Sequence, residues 1–463
     1  MDKSVAVIIP AYNVEKWIGE CLHSVVSQKV PFSEVIIIDD GSQDDTLSIC
    51  KKYAMEYPYI SIIEQRNNGQ GYARNIGICS VTSDYFIFLD ADDLLSENAH
   101  SYINQHLTED VDAVYYNGTG FGEAMQKSQE RDYIRKGRYS YIIMKGQDFF
   151  LETYPWDYKP VVCLTCYKTE FVKKNEILFP EHVVYEDNYF AFRFMMTANK
   201  VIHIDKELYI RRYRYGSTML SSMSDKKICD LIVVFRGIWK FSLTANLEKK
   251  YYVRQYLLDT LQQLINIYKK CNDCKIELSK ETVSFFYEAI DEFSDMFLGD
   301  ITDLELWRDD NKLVLFQISS WVIANCEKKE RYSVIYHRLF RWAKSFYYKL
   351  FKKMELDHDN LVVGIYGVGR GTNGMLDLYS RLCGKIKATL VFYDTYKKGE
   401  QYRKQTVLDF EKEKISCGKV VICSCKAHEF IKELIKEKMP KIEIIDVNEK
   451  VDISVFEFVD TLF

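Results

Sequence analysis

No run of about twenty apolar residues, the length a bilayer-crossing helix needs, occurs in the 463-residue sequence. Proline is scarce, with seven residues, and no tract is compositionally biased towards disorder, which excludes a linker-dominated chain. Positive charge is in slight deficit. Lys and Arg number 62 against 67 Asp and Glu, a net charge of -5 that offers no global attraction for nucleic acid, although local basic patches can still attract phosphates or anionic lipid. The opening Met1-Asp2-Lys3-Ser4 lacks a charged leader followed by an apolar segment, so the expected location is cytoplasmic. Thirteen cysteines are an odd number, and without an export signal they imply reduced thiols rather than a disulfide framework. The pairs Cys163/Cys166 and Cys271/Cys274 sit in dissimilar contexts without a thiol-rich partner motif, which favours structural thiols over zinc.

What is present is a chain that is 47% hydrophobic and 28% charged, too long for one core and expected to divide into domains. Val5 to Pro10 reads as a buried strand, followed by a helix over 15–28, a strand over 34–38, a helix over 44–57, a strand over 59–63 and another at Tyr85 to Leu89. Such alternation predicts an α/β fold with a parallel sheet, which binds ligands where loops leave the carboxyl ends of strands. Polar clusters stand at those ends: Asp39-Asp40-Gly41-Ser42 after one strand, Asp90-Ala91-Asp92-Asp93 after another. Asp90 and Asp92, spaced i and i+2, point to one face of a continuing strand and offer hard oxygens to a divalent cation. A solvated turn or helix cap accounts for the same acids by themselves. Asn67 to Asn75 adds flexible backbone, amide donors and the guanidinium of Arg74.

Taken together, Ile9-Pro10-Ala11-Tyr12-Asn13, Asp39-Asp40-Gly41-Ser42, Ala73-Arg74-Asn75-x-Gly77 and Asp90-Ala91-Asp92-Asp93 make the sequence resemble the family-2 glycosyltransferases of the GT-A fold. The resemblance implies that Pro10, Ala11 and Tyr12 line a nucleotide pocket, that Asp40 hydrogen-bonds the base with Asp39 nearby, and that Arg74 approaches the donor diphosphate, with Asn75 beside it. It further implies that Asp92 is the metal ligand, with Ala91 between it and Asp90, and with Asp90 and Asp93 contacting metal, ribose or sugar. Mn2+ or Mg2+ is the implied cation, and a UDP-sugar the implied donor.

Downstream, Tyr185-Glu186-Asp187-Asn188 is similar to the acceptor-side Glu-Asp motif of these enzymes, and Asp187 matches their catalytic base. A sugar hydroxyl attacks well only as its proton leaves, and a carboxylate within hydrogen-bond reach can take that proton. Acids opening a helix also favour its N-terminus, so a capping role coexists with a catalytic one. Arg212, Arg214 and Ser217 lie in a segment resembling the family's closing loop over the diphosphate. Their alternative is arginine stems packed on a surface strand.

The expected organisation is a GT-A catalytic domain over 1–224, a helical extension over 225–355 and a Rossmann-like α/β domain over 356–463. In the extension, Ile335, Leu339, Trp342, Phe346 and Leu350 form a helical stripe beside Arg338, Arg341, Lys344, Lys349 and Lys352. That stripe suits either a protein core or an anionic membrane surface, which makes a peripheral position at the inner membrane face a second expectation. In the last domain Gly367-Val368-Gly369-Arg370-Gly371-Thr372 follows a strand, with Thr372 where the dinucleotide fingerprint has its last glycine. The expected function is inverting transfer of a monosaccharide from a nucleotide-diphosphate sugar to a carbohydrate or lipid-linked glycan, as in surface-polysaccharide synthesis. A non-catalytic nucleotide-sugar-binding regulator and a nucleotidyltransferase are the alternatives, and oligomeric state is left open.

Overall fold

A computed structural model describes residues 3–107, 110–126, 133–137, 139–155, 157–215, 223–247, 251–273, 276–299, 312, 315, 318, 319, 322, 329–367, 370–394, 397, 399–409, 417–423, 428–438 and 440–447. Two compact units divide the chain, Met1–Leu257 and Leu258–Phe463.

In the first unit, β-branched and aromatic residues fill the central strands, which are buried on both faces as parallel sheets require. β1 (Val5–Ala11) is buried throughout, and β2 (Glu34–Asp39), β3 (Ile60–Glu64) and β4 (Tyr85–Phe88) join it in the order β3-β2-β1-β4, all parallel. The crossovers are α1 (Ile18–Val26), α2 (Thr46–Glu56) and α3 (Gln70–Ser80). Gly77 of α3 lets that helix lie against the sheet, because a Cβ there would come within 2.3 Å of the Ile8 side chain. Beyond β4 the sheet continues with β5 (Leu94–Leu95), β6 (Ala113–Phe121), β7 (Thr165–Lys168) and β8 (Val201–Arg212), in the order β4-β7-β6-β8-β5. β7 is antiparallel to β4 and β6, while β6 and β8 are parallel.

Two connections in this outer half matter for function. The short β5, which follows the acidic turn directly, pairs antiparallel with β8 through Leu94 with Ile210 and Leu95 with Tyr209, which lays the end of β8 over that turn. Helices α4 (Ala99–Asn104), α5 (Gly146–Thr153) and α6 (Thr169–Lys174) precede α7 (Glu186–Thr197), which opens with the two acids of the Glu-Asp motif. α8 (Asp225–Thr244), capped by the Ser224 hydroxyl accepting from the Lys227 amide, belongs to the same compact unit.

The second unit contains helices Lys280–Gly299 and Lys329–Met354 and a parallel four-stranded sheet of β9 (Val362–Tyr366), β10 (Thr389–Tyr393), β13 (Lys419–Ile422) and β14 (Glu443–Asp446), in the order β10-β9-β13-β14. A two-stranded hairpin, β11 (Gln401–Tyr402) with β12 (Gln405–Thr406), follows β10 in the chain. Within the helical stripe, Leu339 and Leu350 are buried in the protein together with Ala343, Tyr347 and Phe351, whereas Arg338, Arg341 and Lys352 are exposed. The side chains of Ile335, Lys344, Phe346 and Lys349 lie outside the described residues. No helix among the described residues is long and apolar enough to cross a membrane. At the glycine-rich turn, Thr372 is buried and its hydroxyl donates to the Gly367 carbonyl at 2.7 Å, so the residue replacing glycine closes the loop on itself. Val368 and Gly369 lie outside the described residues.

Candidate active site

The carboxyl ends of β1, β2 and β4 carry the clusters singled out in the sequence. Leu89 continues β4 by donating to the Ile8 carbonyl, and the chain then turns tightly, the Asp93 amide donating to the Asp90 carbonyl at 2.9 Å. That turn points its three carboxylates in different directions. Asp90 Oδ1 accepts from Gln70 Nε2 at 2.9 Å and from Arg74 Nη2 at 2.8 Å. Asp92 Oδ2 accepts from Arg214 Nε at 2.7 Å. Asp93 faces away from solvent, accepting from the Tyr209 hydroxyl and, at 2.7 Å, from the Arg212 amide. Burial, reinforced by Asp92 and Asp90, pushes the Asp93 carboxyl up to about 8. Asp93 therefore ties β8 to the acidic turn, a different placement from the ligand contact the resemblance implies.

Arg74 is committed to partners within the protein. Its side chain is 2% exposed, and its guanidinium lies among three carboxylates: Nη1 donates to Glu186 at 2.6 Å and to Asp187 at 2.8 Å, while Nη2 reaches Asp90. The rings of Phe179 and Phe88 lie 5.3 and 5.8 Å from its central carbon. A buried cation is tolerated only with such partners, and here it bridges the strand-end acids and the start of α7. Residues 90 and 187 are thus brought to one centre although 97 positions separate them.

Asp187 lies in the first turn of α7, its side chain 27% exposed. Burial raises its carboxyl to about 7; Arg74 opposes the rise, and Glu186 and Asp90 add to it. Such a group is poised to exchange a proton near neutrality. The strap before α7 is held by Asn75, whose side chain donates to the Phe179 carbonyl at 3.0 Å and accepts from the Phe179 amide at 2.9 Å. Gly71 permits this closeness, since a Cβ there would lie 2.6 Å from the Pro180 carbonyl oxygen. Asn75 accordingly fixes the strap rather than facing an open pocket.

On the β1–β2 side, Pro10 and Ala11 are buried at the strand end, and Tyr12 is 46% exposed beyond it. Asp40 is committed to its own loop, accepting from Gln65 Nε2 at 2.7 Å and from the amides of Asn68 and Gly69 at 2.8 Å each. Asp39 differs: Oδ2 accepts from the Ser42 amide at 3.2 Å, while Oδ1 is buried without a hydrogen-bond partner. Of the closing segment, Arg212 donates to the Asp92 carbonyl at 3.0 Å and to Glu20 at 2.7 Å, and Arg214 lies 4.2 Å over the Trp17 ring. Ser217 lies outside the described residues. Sequence reasoning missed Trp17 and Glu20, which carry no motif and become relevant only through the β5–β8 pairing. Gln70, by contrast, stood in the Asn-Gly-rich loop, where an amide beside an acidic turn was a usable signal.

No group of three or more metal-ligating side chains occurs among the described residues. Small hard cations near phosphates are nonetheless held by one or two carboxylates, the phosphates themselves and water. Asp90 and Asp92 each use one oxygen in the hydrogen bonds above, leaving a donor set of that kind.

Known proteins are similar to this chain in sequence and in fold. The sequence model of the family described as Glycosyl transferase family 2 matches residues 6–163. The chain is 28% identical over 252 residues to "Glycosyltransferase GlyG" of Streptococcus pneumoniae, spanning 51% of this chain and 79% of that protein. It is 30% identical over 237 residues to "Uncharacterized glycosyltransferase EpsJ" of Bacillus subtilis, spanning 49% and 65%. With the poly(ribitol-phosphate) beta-N-acetylglucosaminyltransferase TarS of Staphylococcus aureus it shares 26% identity over 300 residues, 62% of this chain and 48% of that protein. The crystal structure of TarS 1-349 in complex with UDP-GlcNAc aligns with a TM-score of 0.51 at 19% identity, covering 73% of this chain and 92% of that one, a likeness of fold. Residues 6–163 thus match the family-2 glycosyltransferase model, in a chain that shares its fold with TarS 1-349.

Proposed function

We propose that the chain is an inverting glycosyltransferase that moves a monosaccharide from a UDP-sugar to a carbohydrate or lipid-linked glycan, in bacterial surface-polysaccharide synthesis. The catalytic part is residues 1–224, with 225–355 and 356–463 as accessory parts, and the site of action is the cytoplasm, at the inner face of the membrane when the acceptor is lipid-linked. The observation carrying this reading is the Arg74 bridge, which sets Asp187 and Asp90 on opposite ends of one guanidinium. UDP as donor nucleotide is supported by the UDP-GlcNAc bound to TarS.

In this reading Tyr12 offers its exposed ring to the base, and the unpartnered Asp39 Oδ1 accepts a base N–H, a role that falls to Asp39 because both oxygens of Asp40 already accept from its own loop. Asp92 and Asp90 hold a divalent cation, Mn2+ or Mg2+, which when bound neutralises the departing diphosphate. Arg212 and Arg214, at and just beyond the end of β8, contact that diphosphate. Asp187 accepts the proton of the acceptor hydroxyl as its oxygen bonds to the anomeric carbon; the bond from that carbon to the diphosphate oxygen breaks, and displacement from the opposite face inverts the centre. Arg74 positions Asp187 and keeps its carboxylate form accessible.

The test couples nucleoside diphosphate release to detection of a glycosylated acceptor, with and without a chelator. Asp187→Asn is expected to cut transfer by about 100-fold or more, within the usual span of general-base catalysis, while donor affinity persists. Unchanged transfer removes Asp187 from this role, and release of pyrophosphate instead of nucleoside diphosphate identifies a nucleotidyltransferase.

A further inference from the structure

Behind the strap that closes over Arg74 lies a second feature of the first unit, a pocket of about 790 Å3. That volume falls in the range of small-molecule sites. Its wall is mostly apolar, formed by Ile78 at the end of α3, Val172 of α6, Leu178 and Phe179 of the strap, and Val233 and Val234 of α8. Leu178 and Val233 are 38% and 41% exposed, so large aliphatic side chains lining one concavity are left in water. Contiguous apolar surface of this kind marks a binding site more often than scattered exposed residues do.

The polar part of the wall selects the ligand's charge. Lys173 donates to the carbonyls of Cys79 and Val81 at 3.1 and 2.7 Å, and Arg193 donates to the Asn175 carbonyl at 3.1 Å with its guanidinium 5.8 Å from the Phe241 ring. Among the described residues neither cation meets a carboxylate within ion-pair distance, and Glu176, the acid on this wall, pairs with neither. Two cations against one carboxylate, set beside an aliphatic trough, complement a molecule with an anionic head and an apolar tail.

We propose that this pocket binds a single-chain lipid phosphate, the phosphate at Arg193 and Lys173 and the chain along Leu178, Val172, Val233 and Val234. Phe179 and Pro180 form the partition between this pocket and the Arg74 cluster, so an occupant bears on the same strap that Asn75 fixes. The inference needs neither the donor nor the acceptor assigned above.

Isothermal titration of the full chain, without nucleotide or metal, uses dodecyl phosphate below its micelle-forming concentration, a neutral dodecyl glycol ether and inorganic phosphate. Saturable binding of dodecyl phosphate is expected, with the ether weaker by about tenfold or more and inorganic phosphate not binding measurably. Arg193→Gln and Val233→Asp, the latter at an exposed position that leaves the core unchanged, are each expected to weaken dodecyl phosphate by about tenfold, while Asp187→Asn leaves it unaltered. Equal affinity for the ether, equal affinity for inorganic phosphate, or undiminished binding in both pocket variants overturns the proposal without touching the transfer reading.

Discussion

Replacing Arg74 by Gln removes the cation around which the site is assembled, and its effect can be worked out in sign and size. Asp187 already titrates at about 7 with Arg74 pulling it down. An opposite charge at hydrogen-bond distance lowers a carboxyl by about 1–3 units, so its loss raises the Asp187 carboxyl further, with Glu186 and Asp90 now unopposed. The reactive form is the carboxylate; a higher value depletes it at fixed pH and is offset by raising the pH. A rise of about two units takes the ionised fraction at about pH 7.5 from roughly three quarters to roughly 3%, a loss of about 25-fold. The acid limb of the kcat/KM profile should move to higher pH by the same amount, whereas a purely conformational defect would lower the whole profile without shifting it. Because removing one partner from a buried ion cluster costs about 3–5 kcal/mol, folding is checked by circular dichroism, and Arg74→Lys, which keeps the charge, serves as the companion variant with a smaller shift. A variant that is folded, fully active and unshifted in its pH profile refutes the argument that Arg74 controls the base.

Other expectations follow from single contacts. Arg214 holds one oxygen of Asp92 in an ion pair, so Arg214→Gln is expected to tighten Mn2+ binding in the absence of donor by about twofold to fivefold, the order of one partly exposed ion pair, read by paramagnetic titration; unchanged or weaker binding counts against Asp92 as the ligand. Gly77→Ala places a methyl against Ile8 and should cost about 1–3 kcal/mol by overpacking, seen as a lower urea midpoint with an unchanged slope; a midpoint like that of the parent protein argues against the close approach of α3 to β1.

How far the sequence foretold this site differs from element to element. The four inner strands and the first two crossover helices were legible because a parallel sheet needs unbroken apolar runs, whereas the third crossover, α3, runs through residues 70–75 that the sequence suggested were flexible backbone. Strand and helix ends fell within a few residues of the observed ones, as with a helix read over 44–57 and found at Thr46–Glu56. The Glu-Asp motif was legible as chemistry, since an acid pair opening an apolar helix is visible in one dimension. The partners of these residues were not. In the sequence Asp40, Asn75 and Arg74 read as ligand-facing groups, and the structure shows each also hydrogen-bonded within the protein, to an adjacent loop, to the strap and to three carboxylates respectively.

By itself the sequence determined which chemical groups stand at which strand ends, because hydrophobic periodicity and turn residues are local properties of the chain. Tertiary structure alone decided which of those groups remain available to a ligand. Hydrogen-bond saturation depends on neighbours brought from far along the chain, such as β8 laid over the acidic turn by its pairing with β5 and α7 carried to Arg74 across more than a hundred residues. A carboxylate's oxygens can be counted in sequence, but whether they are already occupied is a question of three-dimensional contact.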